Sequence, residues 1–352
     1  MRFTKNIWLC LSIVAVVIGI IGIHSCKKTD AAPSIPTPTP VAFNVPTGWP
    51  QPEYDFTKNP LTQEGIALGR ALFYEGKLSK DGNFPCASCH QNFAAFATFD
   101  HNFSHGFNNS FTTRNAPGTF NLAWLKNFHY DGGINHLDLQ PLAPITAPNE
   151  MAETIANVIN KLQNDAKYRQ LFTAAYGDDK ITTERMTKAL SQFMLTMVSN
   201  NSKYDLVKAG RASFTLPEQL GYDLFRSKGC VSCHTEPLFT NNDYINIGMP
   251  VDPTINDFGR MRVTNSRNDS LKFKVPTLRN VQLTFPYGHD GRFTNLDAVL
   301  EHYRSGVVNG PTTDARVRNR IPLSNFEIGQ IKAFLNTLTD TVLTKNPAFA
   351  QP

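Results

Sequence analysis

Charge is sparse in these 352 residues and nearly cancels: 18% of the chain is Asp, Glu, Lys or Arg, with 34 basic groups against 29 acidic ones. Arg2 and Lys5 stand ahead of an apolar run that reads as a leader, so a processed chain keeps 32 against 29, a net of +3. No basic stripe is left to follow a phosphate backbone, which argues against nucleic acid as a partner. Cysteine is scarce too, six in all. Cys10 falls inside the leader and Cys26 at its end; the other four form two close pairs, so no thiol is spare for a structural disulfide. Strand-like alternation is also rare. What remains is a globular composition, 41% hydrophobic, in a chain long enough for two domains of ordinary size.

The longest apolar run is Ile7 to Ile23, broken only by Ser12, Gly19 and Gly22. It is marginal against the roughly 20 apolar residues that a membrane span needs. With Arg2 and Lys5 before it and His24-Ser25-Cys26 behind, it reads as an export signal over residues 1–26. Cys26, followed at once by Lys27-Lys28, resembles the lipidated first residue of a bacterial lipoprotein, although Ile23-His24-Ser25 matches that signal loosely. A plain signal peptide and an uncleaved anchor are the competing readings. On the lipoprotein reading the protein sits on the periplasmic side, tied to a bacterial membrane by its lipid. Residues 27–50, rich in Pro and Thr and without apolar periodicity, then read as an extended tether.

The folded part is expected from near Tyr54, and it contains a repeat. Leu68-Gly69-Arg70-Ala71-Leu72-Phe73 precedes Cys86-Ala87-Ser88-Cys89-His90, and Leu220-Gly221-Tyr222-Asp223-Leu224-Phe225 precedes Cys230-Val231-Ser232-Cys233-His234. Each opens with a helix cap, Thr62 in the first and Thr215 with Pro217 in the second, and the Leu68/Leu72 and Leu220/Leu224 pairs read as core positions. Helical spacing also predicts a helix over 150–175, with Ile155, Val158, Ile159 and Leu162 on one face. A second is predicted over 182–201, and a third after the Ser324/Glu327 capping box. Residues 91–147 and 236–295 are rich in Asn, Gly, Pro and Phe with little period, as cofactor-wrapping loops are. The expected fold is mainly α: two cytochrome c-like domains in tandem, 51–214 and 215–345, with long irregular loops.

In Cys-x-x-Cys-His the two thiols attach to haem vinyl groups and the adjacent His supplies the axial nitrogen. Two such matches, each behind the same helix pattern, predict two covalent haems held by Cys86, Cys89, His90 and by Cys230, Cys233, His234. Zinc is the weaker alternative, because a zinc ribbon places its Cys pairs about 15–20 residues apart. A redox dithiol would not repeat the His. About four haem propionates would bring the loaded protein close to neutral.

Between and beyond these motifs the sequence resembles the bacterial di-haem cytochrome c peroxidases. The likeness is carried by Arg114-Asn115-Ala116-Pro117, Asn121-Leu122-Ala123-Trp124, Phe128-His129-Tyr130-Asp131-Gly132-Gly133 and Gln140 through Asn149-Glu150-Met151. It continues in Phe273-Lys274-Val275-Pro276-Thr277-Leu278-Arg279-Asn280 and His289-Asp290-Gly291, and runs from about Leu61 to Thr339. The resemblance implies that the N-terminal haem meets hydrogen peroxide. The C-terminal haem would take electrons from a small cytochrome c or cupredoxin. Glu150 is implied as the distal carboxylate that moves a proton between peroxide oxygens, with Gln140 lining the same pocket. Read from the residues alone, Glu150 is a first-turn carboxylate complementing a helix dipole. The resemblance also implies one Ca2+ held by Asn115, Thr284 and Pro286, where ordinary loop hydrogen bonding is the alternative. A homodimer is among the assemblies it allows.

Three positions depart from the family pattern. Phe107 stands where a removable distal His is often found, with His101 and His105 the nearest substitutes. Tyr303 stands where the second haem usually has a Met ligand, as in the MauG-like branch that oxidises residues of a partner protein, and His302 is its rival. Tyr130 replaces a Trp between the haems, either relaying electrons or only packing. Three functions follow: a peroxidase, a MauG-like oxidase acting on Tyr or Trp of a partner, and a non-enzymatic electron carrier.

Overall fold

In the computed structural model, which describes residues 36–352, the Thr62 hydroxyl accepts from the Gly65 amide and starts the helix Gln63–Phe73. The equivalent helix of the second half, Leu216–Ser227, opens with a reciprocal capping box between Thr215 and Glu218. Each packs across a helix far along the chain: Gln63–Phe73 on Thr183–Leu195, and Leu216–Ser227 on Asn325–Asn336. The crossings are tight at the same point of the repeat. A Cβ on Gly69 would lie 1.9 Å from the Ala189 carbonyl oxygen and 2.9 Å from Phe193 Cβ. One on Gly221 would lie 1.9 Å from the Gln330 oxygen and 2.9 Å from Phe334 Cβ. Only a hydrogen leaves the backbones this close, so Gly69→Ala and Gly221→Ala should each cost about 1–3 kcal/mol of stability. Denaturant unfolding of the loaded protein measures the loss, and unchanged midpoints would show that the helices can spread.

Residues 37–352 form one compact unit containing two apolar cores. The first gathers residues from Tyr54 to Met197 and the second residues from Tyr204 to Leu338, so Tyr204 packs in the second core ahead of the 214/215 boundary expected from sequence. Leu343 and Phe349 return to the first core, where the Arg70 guanidinium donates to the Ala350 and Pro347 carbonyls and the Tyr74 hydroxyl to that of Phe349. Among the described residues, sheet is confined to Tyr244–Ile245 paired antiparallel with Phe273–Lys274, and the rest of residues 236–295 is loop, short turns of helix and bridges.

Several expectations need correction. Residues 37–50 are not a free tether: the Val41 amide donates to the Leu61 carbonyl, Phe43 stacks on Phe56, and Trp49 packs edge-on against Trp124. Aromatic and β-branched side chains placed among the prolines find an apolar surface there. Cys26, the expected lipidation site, and residues 27–35 lie outside the described residues. The helix expected over 150–175 is two helices, Ile155–Gln163 and Ala166–Tyr176, because Asp165 caps a fresh start by accepting from the Lys167 amide. The helix expected over 182–201 ends at Leu195, with the Thr182 hydroxyl capping its start. Leu220 is 37% exposed and is not a core residue, since the buried face of its helix carries Gly221, Tyr222 and Phe225.

Candidate functional site

Each Cys pair sits on one tight turn: Cys86–Cys89 behind Pro85, and Cys230–Ser232 behind Gly229, with the His90 and His234 amides donating to the Cys86 and Cys230 carbonyls at 2.9 and 3.0 Å. The chain then doubles back under each imidazole. His90 Nδ1 lies 2.9 Å from the Phe96 carbonyl, and His234 Nδ1 lies 3.1 Å from those of Phe239 and Pro276. Donation to carbonyls fixes the Nδ1–H tautomer and leaves Nε2 as the free nitrogen, the arrangement of a metal-bound imidazole. Both carbonyls are delivered by a buried Phe in the left-handed region, Phe96 at φ 59° and Phe239 at φ 54°. Such a conformation costs a bulky residue roughly 1–3 kcal/mol and marks a functional constraint. Spacing analysis did not reveal this second repeat, because its two sequence contexts share only the Phe.

The two turns open onto one cavity of about 880 Å3, lined by Cys86, Cys89 and His90 and by Cys230, Cys233 and His234. Burial lowers both imidazoles, His234 to about 4, so they are neutral and able to ligate. Burial raises all four thiols, Cys86 to about 12 and Cys230 to about 11. Protonated sulfurs in an apolar wall suit thioether attachment and work against zinc or a dithiol couple, both of which need thiolate. Among the described residues, no group of three His, Cys, Asp or Glu stands close enough to hold a metal, and the four Cys are unbridged. Haem, which brings its own iron and takes sulfur as thioether, fits these residues.

Glu150, Gln140, Tyr130 and Tyr303 line the same cavity. Glu150 is not a first-turn residue: the next helix starts at Ile155 with Thr154 as its cap, and Glu150 sits in the preceding turn with its carbonyl accepting from the Phe107 amide at 2.7 Å. Its carboxyl is raised by desolvation alone, with no partner charge acting on it. Tyr130 is raised chiefly by burial, as is Tyr303, which is raised further by Cys230 and Cys233 of the second motif. Tyr303 belongs to a π-helical stretch, His302–Gly306, that follows the helix Leu296–Glu301; such bulges re-aim side chains at functional sites.

Of the rival residues, only His105 reaches the cavity. His302 Nε2 lies 2.9 Å from the Ile247 carbonyl and does not line the cavity. Phe107 turns its ring to Lys80, 4.9 Å from the ammonium, and does not line it either, so the slot is vacated rather than filled by Phe. His105 reaches the cavity wall and His101 does not. Asn115, Thr284 and Pro286 each line the cavity, with Asn115 Nδ2 donating to the His101 and Asn102 carbonyls. Sequence reasoning missed an ion cluster beside them: Arg114 Nη1 is 2.7 Å from Asp131, and Nε and Nη2 grip Asp257 at 2.6 and 2.9 Å. Those partners lie 17 and 143 positions away, so only Arg114, within its Arg-Asn-Ala-Pro run, offered a signal.

A family model described as di-haem cytochrome c peroxidase matches residues 63–213. The methylamine utilization protein MauG of Methylophilus methylotrophus is 32% identical over 90% of this chain and 93% of its own length. Cytochrome c551 peroxidase of Nitrosomonas europaea is 34% identical over 80% of this chain and 81% of its own. Among solved structures, a MauG-like protein associated with microbial copper homeostasis superposes with a TM-score of 0.78 at 29% identity, covering 88% of this chain and 99% of that one. The di-haem peroxidase BthA of Burkholderia thailandensis shares the fold, with a TM-score of 0.72 at 21% identity over 85% of this chain and 92% of its own.

Proposed function

The chain belongs to the family of di-haem cytochrome c peroxidases and MauG proteins, and from that premise we propose that it reduces hydrogen peroxide to water with two electrons from a small cytochrome c or cupredoxin. The observation that carries this reading is Glu150, a carboxyl without a charge partner, desolvated on the wall of the cavity that both motifs share. Two covalent haems, held by Cys86, Cys89, His90 and by Cys230, Cys233, His234, would supply the iron and the electron-transfer chemistry. Glu150 takes the proton from one peroxide oxygen and returns it to the other, so that the departing oxygen leaves as water. Gln140, on the same wall, orients the peroxide through its amide. Tyr130, on the same wall, would lie between the two haems, and its buried hydroxyl keeps its proton unless an electron leaves with it. Such a carboxyl has no use in a simple electron carrier.

Tyr303 supports a second reading. Tyr303, on the cavity wall with Cys230 and Cys233, would be a hard oxygen ligand that holds iron in its oxidised forms, whereas the usual Met would raise the potential. That favours a MauG-like oxidase acting on Tyr or Trp of a partner protein. Adding stoichiometric peroxide to the loaded protein and then reduced cytochrome c separates the two. Rapid oxidation of the cytochrome is expected of the peroxidase; an oxidised form of the protein that persists in its presence would sink that reading in favour of the oxidase. Asn115, Thr284 and Pro286, which all line the cavity, would offer oxygen ligands to one Ca2+. The leader composition supports periplasmic placement with Cys26 as the lipid anchor.

A further inference from the structure

Lys274 is the cation on this cavity wall that, among the described residues, makes no ion pair with a carboxylate. Of the other cations on its wall, Arg114 is held by Asp131 and Asp257, Lys228 by Glu327 at 2.8 Å, Arg279 by Asp205 at 2.8 Å and Arg316 by Asp314 at 2.8 Å. Arg262, half exposed, is 3.6 Å from Asp257. The Lys274 ammonium donates to the Asn127 carbonyl at 2.6 Å, and among the described residues no carboxylate lies within 4.0 Å of it. Glu150 is not its partner, since each group is shifted without a contribution from the other.

An ammonium in a protein wall without an ion pair is costly: burial pulls this one down to about 8, although Asp131, itself held by Arg114, acts to raise it. Its position is nonetheless fixed. Lys274 lies in the short strand pairing, directly opposite Tyr244, and its amide donates to the Tyr130 carbonyl at 2.7 Å. The cation therefore stands at the seam between the two motif-bearing halves, beside the residue proposed to lie between the haems. A group with a free carboxylate that reaches this wall would satisfy it.

We propose that Lys274 binds a haem propionate at this seam. The proposal rests on the two-haem reading above and adds a positioning residue to it. A charge-assisted hydrogen bond from the ammonium sets the orientation of that haem. The positive charge also favours the reduced haem, which carries one positive charge fewer at its iron.

The test is spectroelectrochemical titration of both haems in the loaded wild type, Lys274→Met and Lys274→Arg. Haem content is measured first by the alkaline pyridine spectrum; a protein without covalent haem refutes the two-haem reading itself, independently of Lys274. Met keeps the stem and removes the buried charge, so folding is preserved. With two haems attached, Lys274→Met should shift the reduction equilibrium of one haem about tenfold towards ferric, about 59 mV for a one-electron couple, and Lys274→Arg should restore most of it. Unchanged potentials, or equal shifts in both haems, would overturn the proposal. Acetate provides the second arm: wild-type potentials that depend on added acetate, in a way Lys274→Met abolishes, would mean that a free carboxylate occupies the site and would overturn the assignment to propionate.

Discussion

Glu150→Gln should lower kcat/KM for hydrogen peroxide by about 10²–10⁴-fold, with both haems still attached and their potentials little changed. The amide is nearly the same size as the carboxyl but cannot carry a proton between the two peroxide oxygens, so the loss falls on the chemistry. The wild-type pH profile supplies an independent check. Desolvation raises this carboxyl above the ordinary Glu range, and the ionised form is the one that accepts a proton. Activity should therefore fall away on the acid side at a pH higher than an exposed Glu would give, and Glu150→Gln should lose that limb. Stability moves the other way. Ionising Glu150 is harder in the fold than in the unfolded chain, so the fold loses stability as pH rises through the raised value. The variant, which never ionises there, should unfold no earlier than the wild type at neutral pH. A variant with full activity would remove Glu150 from the mechanism, and one that is inactive because it melts would show a structural role instead.

Tyr303→Met should raise the potential of one haem by about 100 mV or more, within the roughly 0.8 V span that axial ligands command, and should leave the other in place. The thioether favours ferrous iron where the phenol oxygen favours ferric. Removing the phenol also removes a hydroxyl that burial raises and that stands near Cys230 and Cys233. Tyr303→Phe separates ligation from packing, since it keeps the ring and deletes only the oxygen. If Tyr303 binds iron, the visible spectrum of that haem changes in both variants. An identical spectrum and potential in Tyr303→Phe would eliminate the ligand role, and with it the structural support for the MauG-like reading. If instead Tyr303→Met gains turnover with cytochrome c, the identity of this one ligand divides the two activities.

The residues legible in the sequence were those whose chemistry is local. A Cys-x-x-Cys-His turn sets two thiols and an imidazole within five positions, and the caps at Thr62, Thr215 and Ser324 act within three residues, so the corresponding turns and helices could be read directly. The break at Asp165 was hidden because Ile155, Val158 and Leu162 continue in phase with Tyr168 and Phe172 beyond it. All of these except Ile155 are buried. Leu220 was misread because a Gly next to it, not a Leu, makes the helix contact. Residues 37–50 were misread because their prolines suggest an extended chain, which they do form, while Val41, Phe43 and Trp49 decide what it lies against. Lys274 stood in plain view within Phe273-Lys274-Val275-Pro276, but an unpaired charge is defined by what surrounds it, and those neighbours come from distant segments.

The return of Leu343 and Phe349 to the first core bears on the order of assembly. Phe349 lies against Phe96, the residue whose carbonyl holds His90, and against Phe193 in the helix that crosses Gln63–Phe73. The wall behind the first axial histidine is thus completed by residues synthesised after the whole second motif. Contacts of such long sequence separation form late. Until residues 343–350 pack there, the first Cys-x-x-Cys-His turn lacks its cover on that side.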